Sequence, residues 1–145
     1  MTDIELGTLL ANPARAGTCI VDDRERTAMV EAAAARDFAI VTVNLENAGN
    51  KPALLEALAA ALDFPPGFGR NWDALADSLG DLSWLSAPGY MLLLDHADRL
   101  RNAAPQDFDT LLEILEDAAR SHANGGVPFW AVLAATGPSP ALALP

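Results

Sequence analysis

Asp73, Asp77 and Asp81 recur at every fourth position. In a helix that spacing puts all three carboxylates on one face, a turn apart. Such a row could bind a cation, or it could present a negative surface to a positive partner. Ligands a turn apart on one helix rarely complete a coordination shell, so the row alone does not define a metal site. For acid–base chemistry the best candidate is Asp95 beside His96, at the end of an apolar run. A second imidazole, His122, falls near a helix C-terminus, where the dipole favours a cationic ring for structural reasons. The serines have no nucleophile elbow. Gly67 and Gly69 are not followed by the Lys-Ser/Thr of a phosphate loop, and the nearby carboxylates would repel phosphate. Cys19 is the single cysteine, which rules out an intramolecular disulfide and a Cys-rich zinc site.

The acidic row costs stability. Like charges four apart are unfavourable by roughly 0.2–0.5 kcal/mol per pair. Asp81 also falls near the helix end that disfavours anions. No Lys or Arg stands three or four positions away within the helix. Two readings follow: a solvated face of an acidic protein, or a face kept negative for a cationic partner.

The stretch 64–84, FPPGFGRNWDALADSLGDLSW, must position that row. Pro65 and Pro66 fix φ and remove two backbone donors, so a preceding helix ends there. Gly67 and Gly69 allow a turn that a Cβ would hinder. Asn71 is a good N-cap, with Asp73 in the first turn where the macrodipole favours an anion. Trp72, Leu75, Ala76 and Leu79 form the apolar side.

Around this unit the chain alternates strands and helices. A helical turn is expected near Ile4 to Leu10, ending at Asn12-Pro13. A short strand follows over 17–23, then a helix over 24–37 capped by Asp22 or Asp23. Residues 38–45, FAIVTVNL, read as a buried parallel strand. Asn50 caps a helix over 51–62, with Pro52 in its first turn. Residues 90–95, YMLLLD, form another buried strand, and 96–102 a short helix stopped before Pro105. A longer helix over 106–122 carries Asp109, Glu113, Glu116 and Asp117 on its outer side. Asn124-Gly125-Gly126 ends it, and 127–134, VPFWAVLA, are the last strand. From Thr136 onward the chain reads as a frayed tail. This alternation implies an α/β fold with a mostly parallel sheet and right-handed crossovers.

The 145 residues are 51% hydrophobic, enough for one domain with a real core. A formal net charge of −11 disfavours nucleic acid and anionic membrane as partners and favours a basic protein or a cation. No apolar run approaches a membrane span. The N-terminus has no basic region followed by an apolar core, so no signal peptide is expected.

The order Phe-Pro-x-x-aromatic-Gly-x-Asn-x-Asp-Ala-Leu-x-Asp-x-Leu is carried here by Phe64, Pro65, Phe68, Gly69, Asn71, Asp73, Ala74, Leu75, Asp77 and Leu79. It resembles the signature of the barstar family, intracellular protein inhibitors of barnase-type ribonucleases. The resemblance implies a three-stranded parallel sheet packed with helices in a three-layer arrangement, with strands at 38–45, 90–95 and 127–134. Residues 17–37 would then add a strand and helix at a sheet edge. The implied organisation is a single domain over 1–145: an extension over 1–37, a barstar-like core over 38–135, and a flexible tail over 136–145.

The resemblance also implies a function without catalysis or cofactors. A one-to-one complex with a basic ribonuclease or ribonuclease-type toxin is expected in the cytoplasm. Its principal acidic contacts fall on Asp73 and Asp77, with Asp77 deepest toward the phosphate site. Phe68, Gly69 and Asn71 match interface loop positions. Asp81 completes the acidic row, and Asp117 on the long helix is a further acidic contact. Gly67, Ala76 and Leu82 stand where the family's type member has aromatic residues, which points to a different cognate ribonuclease. Two other readings stand beside this one: an acidic adaptor that keeps the fold, and a small α/β enzyme using Asp95 and His96.

Overall fold

The structure is a computed structural model and describes residues 3–134. Four parallel strands form one sheet: β1 (Thr18–Val21), β2 (Ala39–Asn44), β3 (Tyr90–Asp95) and β4 (Phe129–Ala134), in the order β1-β4-β3-β2. Tyr90 registers with Ala39 on one side and Phe129 on the other. β3 and β4 are central and buried on both faces, which is why they read as unbroken apolar runs. The strand expected from the extension joins the sheet at its edge, with Thr18 opposite Ala131.

Alternation along the strands divides two apolar layers. Tyr90, Leu92, Leu94, Phe129, Ala131 and Leu133 face α3 (Lys51–Ala61), α4 (Trp72–Asp81), α5 (Asp98–Ala103) and α6 (Pro105–Asn124). Met91, Leu93, Trp130 and Val132 face the other way, packed with Leu10 of α1 (Asp3–Leu10) and Met29 and Ala33 of α2 (Asp23–Ala35). Each fully buried Leu or Phe is worth about 1.5–3 kcal/mol of transfer free energy. The second layer therefore makes the N-terminal segment a covering of the sheet. Three polar ties reinforce it. Trp130 Nε1 donates to the Leu10 carbonyl at 2.9 Å, Arg26 grips Asp95, and Thr18 bonds Glu116.

Boundaries move where the backbone turns left-handed. Asp37 (φ 60°) stops α2 before the expected end, and His96 (φ 60°) cannot begin a helix, so α5 starts at Asp98. Asp22, not Asp23, caps α2, in a reciprocal box with Glu25. Pro105 occupies the first turn of α6, where its missing N–H costs nothing. The tail expected from Thr136 lies outside the described residues.

Candidate functional site

The loop before α4 is braced by aromatic contacts. Phe64 meets Phe68 edge-on at 4.9 Å and Trp84 at 5.8 Å, while Trp84 Nε1 donates to the Leu62 carbonyl at 3.0 Å. Gly67 turns at φ 94°. Asn71 spends both ends of its amide locally: Oδ1 accepts the Ala74 N–H at 2.7 Å, and Nδ2 donates to the Gly69 carbonyl. Asn71 is thus a helix cap that also ties down the loop. The nearby cations are engaged elsewhere. Arg70 pairs with Glu56 at 2.8 Å, and Lys51 lies 4.9 Å over the Trp72 ring.

α4 follows with Leu75 and Leu79 fully buried and Asp73, Asp77 and Asp81 exposed. None of the three has an ion-pair partner among the described residues, whose ion pairs are Arg26–Asp95, Arg70–Glu56 and Arg120–Asp117. Asp81 accepts only the Ser83 hydroxyl, at 3.2 Å. α4 packs beside α6, and between them runs an open groove lined by Ala76, Asp77, Gly80, Asp81, Asp117 and Ser121. Asp77 and Asp81 also border a second depression against Pro65, Gly67, Phe68 and Trp84.

The fold thus gathers Phe68, Asp77, Asp81 and Asp117 onto adjoining surfaces. Asp73 lies one turn away toward the helix start and lines neither depression, and Gly69 and Asn71 belong to the cap. Asp117 pairs with Arg120 one turn on; both are largely exposed, so solvent screening makes the pair weak and readily exchanged. Leu82 is fully buried, so of the three positions that lack an aromatic only Gly67 and Ala76 line these depressions.

Two residues read differently in the structure. Glu116 is turned from the acidic outer side of α6 toward β1, where it accepts the Thr18 N–H at 2.8 Å and the Thr18 hydroxyl. His122 is buried, with Nε2 2.8 Å from the Leu79 carbonyl of α4. Nothing local in the sequence signals either tie, because the partners are 98 and 43 residues away.

At the carboxyl end of the sheet, Arg26 Nε and Nη2 hold the two Asp95 oxygens at 3.2 and 2.9 Å. Each oxygen of that carboxylate accepts one hydrogen bond from the same guanidinium, and His96 is exposed in its left-handed turn. Among the described residues no group of three or more His, Cys, Asp or Glu could hold a metal ion. No helix among them is long and apolar enough to cross a membrane.

A family model described as "Barstar (barnase inhibitor)" matches residues 38–134, well over half of the chain. The chain belongs to the barstar family. Its barstar segment begins at Phe38 and holds β2 to β4 and α3 to α6, while α1, β1 and α2 lie outside it. No curated protein matches the chain. Among solved structures, one described as Drosophila ORC bound to DNA matches with a TM-score of 0.53 at 17% identity. The match covers 98% of this barstar-family chain but 39% of that one, and at that identity it is a likeness of fold.

Proposed function

We propose that this chain is an inhibitor that binds one basic ribonuclease, or ribonuclease-type toxin, inside the producing cell. α4 would cover the nuclease active site and place carboxylates where the phosphodiester sits. A ribonuclease site is positive because it must hold phosphate, so a negative helix answers it without any chemistry of its own. The observation that carries this reading is the family match combined with three exposed aspartates that lack internal counter-ions. Asp77 borders both depressions and takes the central contact; Asp73, Asp81 and Asp117 flank it, and Phe68 and Gly69 supply the loop edge. The bare positions Gly67 and Ala76 remove aromatic anchors and shift specificity toward a ribonuclease other than barnase itself.

An inhibition assay against a panel of small basic barnase-type ribonucleases tests this, using wild type and Asp77→Ala. Truncating one partner of a buried charge pair costs about 2–5 kcal/mol of binding. The substitution should weaken inhibition by that amount and leave the denaturation midpoint nearly unchanged. Equal inhibition by both proteins would remove Asp77 from the interface. Inhibition of no ribonuclease would favour an acidic adaptor.

A further inference from the structure

α4 ends in a way that its own sequence does not provide for. The last four carbonyls of a helix lack intrahelical partners and are commonly satisfied around a left-handed glycine. Here the left-handed position is Leu82 (φ 49°), at a cost on the order of 1 kcal/mol relative to glycine. The Leu82 N–H closes on the Ser78 carbonyl at 3.1 Å, and the Leu85 N–H on the Leu82 carbonyl at 2.9 Å. The Leu79 carbonyl is met from another helix, by His122 Nε2.

His122 is the one buried polar or charged side chain among the described residues. Its ring stacks on Phe129 at 5.3 Å with 3° between planes and lies 5.1 Å from Tyr90. A carbonyl oxygen only accepts, so Nε2 must carry the proton. Next to this bond α4 presents Gly80, whose missing Cβ faces Ser121 Oγ at 3.7 Å. The hydrogen bond thus adds a directional tie to the apolar packing of Leu75, Leu79 and Ala118 where α4 meets α6. Asp77 and Asp81 stand on one side of the open groove beside this junction, and Asp117 on the other.

We propose that His122, as its Nε2–H form, is the positioning residue of the acidic face. It fixes Asp77 and Asp81 relative to Asp117 and stops α4 immediately after Asp81. The inhibitor reading supplies what the face is for; the positioning itself is tested without a ribonuclease, so the two ideas fail separately.

Long-range proton–nitrogen NMR on the wild-type chain reads the tautomer directly. An Nε2-protonated ring at neutral pH is expected, and an Nδ1-protonated ring would overturn the proposal. Backbone amide residual dipolar couplings at Asp77, Asp81 and Asp117 then compare wild type, His122→Gln and His122→Leu. Gln retains an amide donor at the corresponding reach, whereas Leu fills the volume without one. The Leu variant should change the orientation of the end of α4 relative to α6, and the Gln variant should restore the wild-type couplings. A folded Leu variant with lowered Tm and unchanged couplings would make His122 only a stability residue and overturn the proposal. Should the Leu variant not fold, Gln decides: wild-type couplings support the positioning role, and displaced ones contradict it.

Discussion

The Glu116 carboxylate accepts the backbone N–H of Thr18 at 2.8 Å and the Thr18 hydroxyl as well, fastening β1 to α6 one residue before Asp117. The segment outside the barstar match thus holds the helix that lines one side of the acidic groove. Hydrogen bonds to a charged group contribute about 1.5–3 kcal/mol each, and an abandoned donor adds its own desolvation cost. Glu116→Ala should therefore lower unfolding free energy by roughly 2–4 kcal/mol in a urea titration, and Glu116→Gln by less. Equal stability of all three proteins would mean that the tie is not maintained in solution.

Removing the segment before Phe38 should do more than remove ties. It would uncover Met91, Leu93, Trp130 and Val132, which α1 and α2 cover. A contiguous exposed apolar patch of that kind marks an association liability. The truncated chain should bind a hydrophobic dye and aggregate, and the intact chain should resist limited proteolysis across 17–37. A soluble, monomeric remainder from rapid cleavage before Phe38 would contradict the covering role.

Cys19 should be slow to react. Burial, then the charges of Glu25 and Glu116, push its thiol up from 9.0 to about 11. The thiolate is the nucleophile, so at pH 8 only about 0.1% of the thiol is in reactive form. The folded state holds this proton more tightly than the unfolded chain does. Its stabilising contribution is therefore fully present below 9.0 and is lost as pH rises through about 11. Alkylation at pH 8 should be far slower in the native protein than in denaturant; equal rates would show an open, ordinary thiol.

Gly89 should not tolerate a side chain. A Cβ there would stand 2.5 Å from the Phe38 ring, which is buried in the second layer. Overpacking of this kind costs about 1–3 kcal/mol. Gly89→Ala should lose that much in thermal or urea unfolding, and Phe38→Leu in the same background should recover part of it. An unchanged midpoint for the single variant would show that the ring moves aside freely.

The legible features of the sequence were those decided by neighbours in the chain. YMLLLD announced a buried strand because both faces of β3 are covered. FAIVTVNL read as buried too, but β2 lies at the sheet edge and only Val43 within it is buried, because no further strand and little of the helical layers cover it. Asn71 announced the start of α4 through its side-chain oxygen, and Asp73, Asp77 and Asp81 their shared face through helical period. Left-handed turns at Asp37 and His96 were not legible, because neither residue type demands that conformation. Nor were the ties of Arg26 to Asp95, Glu116 to Thr18 and His122 to Leu79. Each joins residues at least 43 apart, and its cause lies in the packing of the whole. Asp117 could be assigned to a helix face from sequence, but only the crossing of α4 and α6 brings it to the same groove as Asp77 and Asp81.

On the proposed function, Asp73, Asp77 and Asp81 serve a cationic protein and are not merely a solvated face. A concentrated acidic surface facing a positive cleft raises association rates by factors of about 10 to 1000 at low ionic strength. Screening acts over a Debye length of about 8 Å at 0.15 M salt, so the enhancement must fall as salt rises, while dissociation responds less. The measurement is the association rate with small basic barnase-type ribonucleases across a salt series, for wild type and for Asp73→Asn/Asp77→Asn/Asp81→Asn. A fast wild-type rate that drops with salt is expected, with a flatter dependence in the triple variant. No saturable binding to any basic ribonuclease, or a salt dependence that the three substitutions leave unchanged, would contradict it.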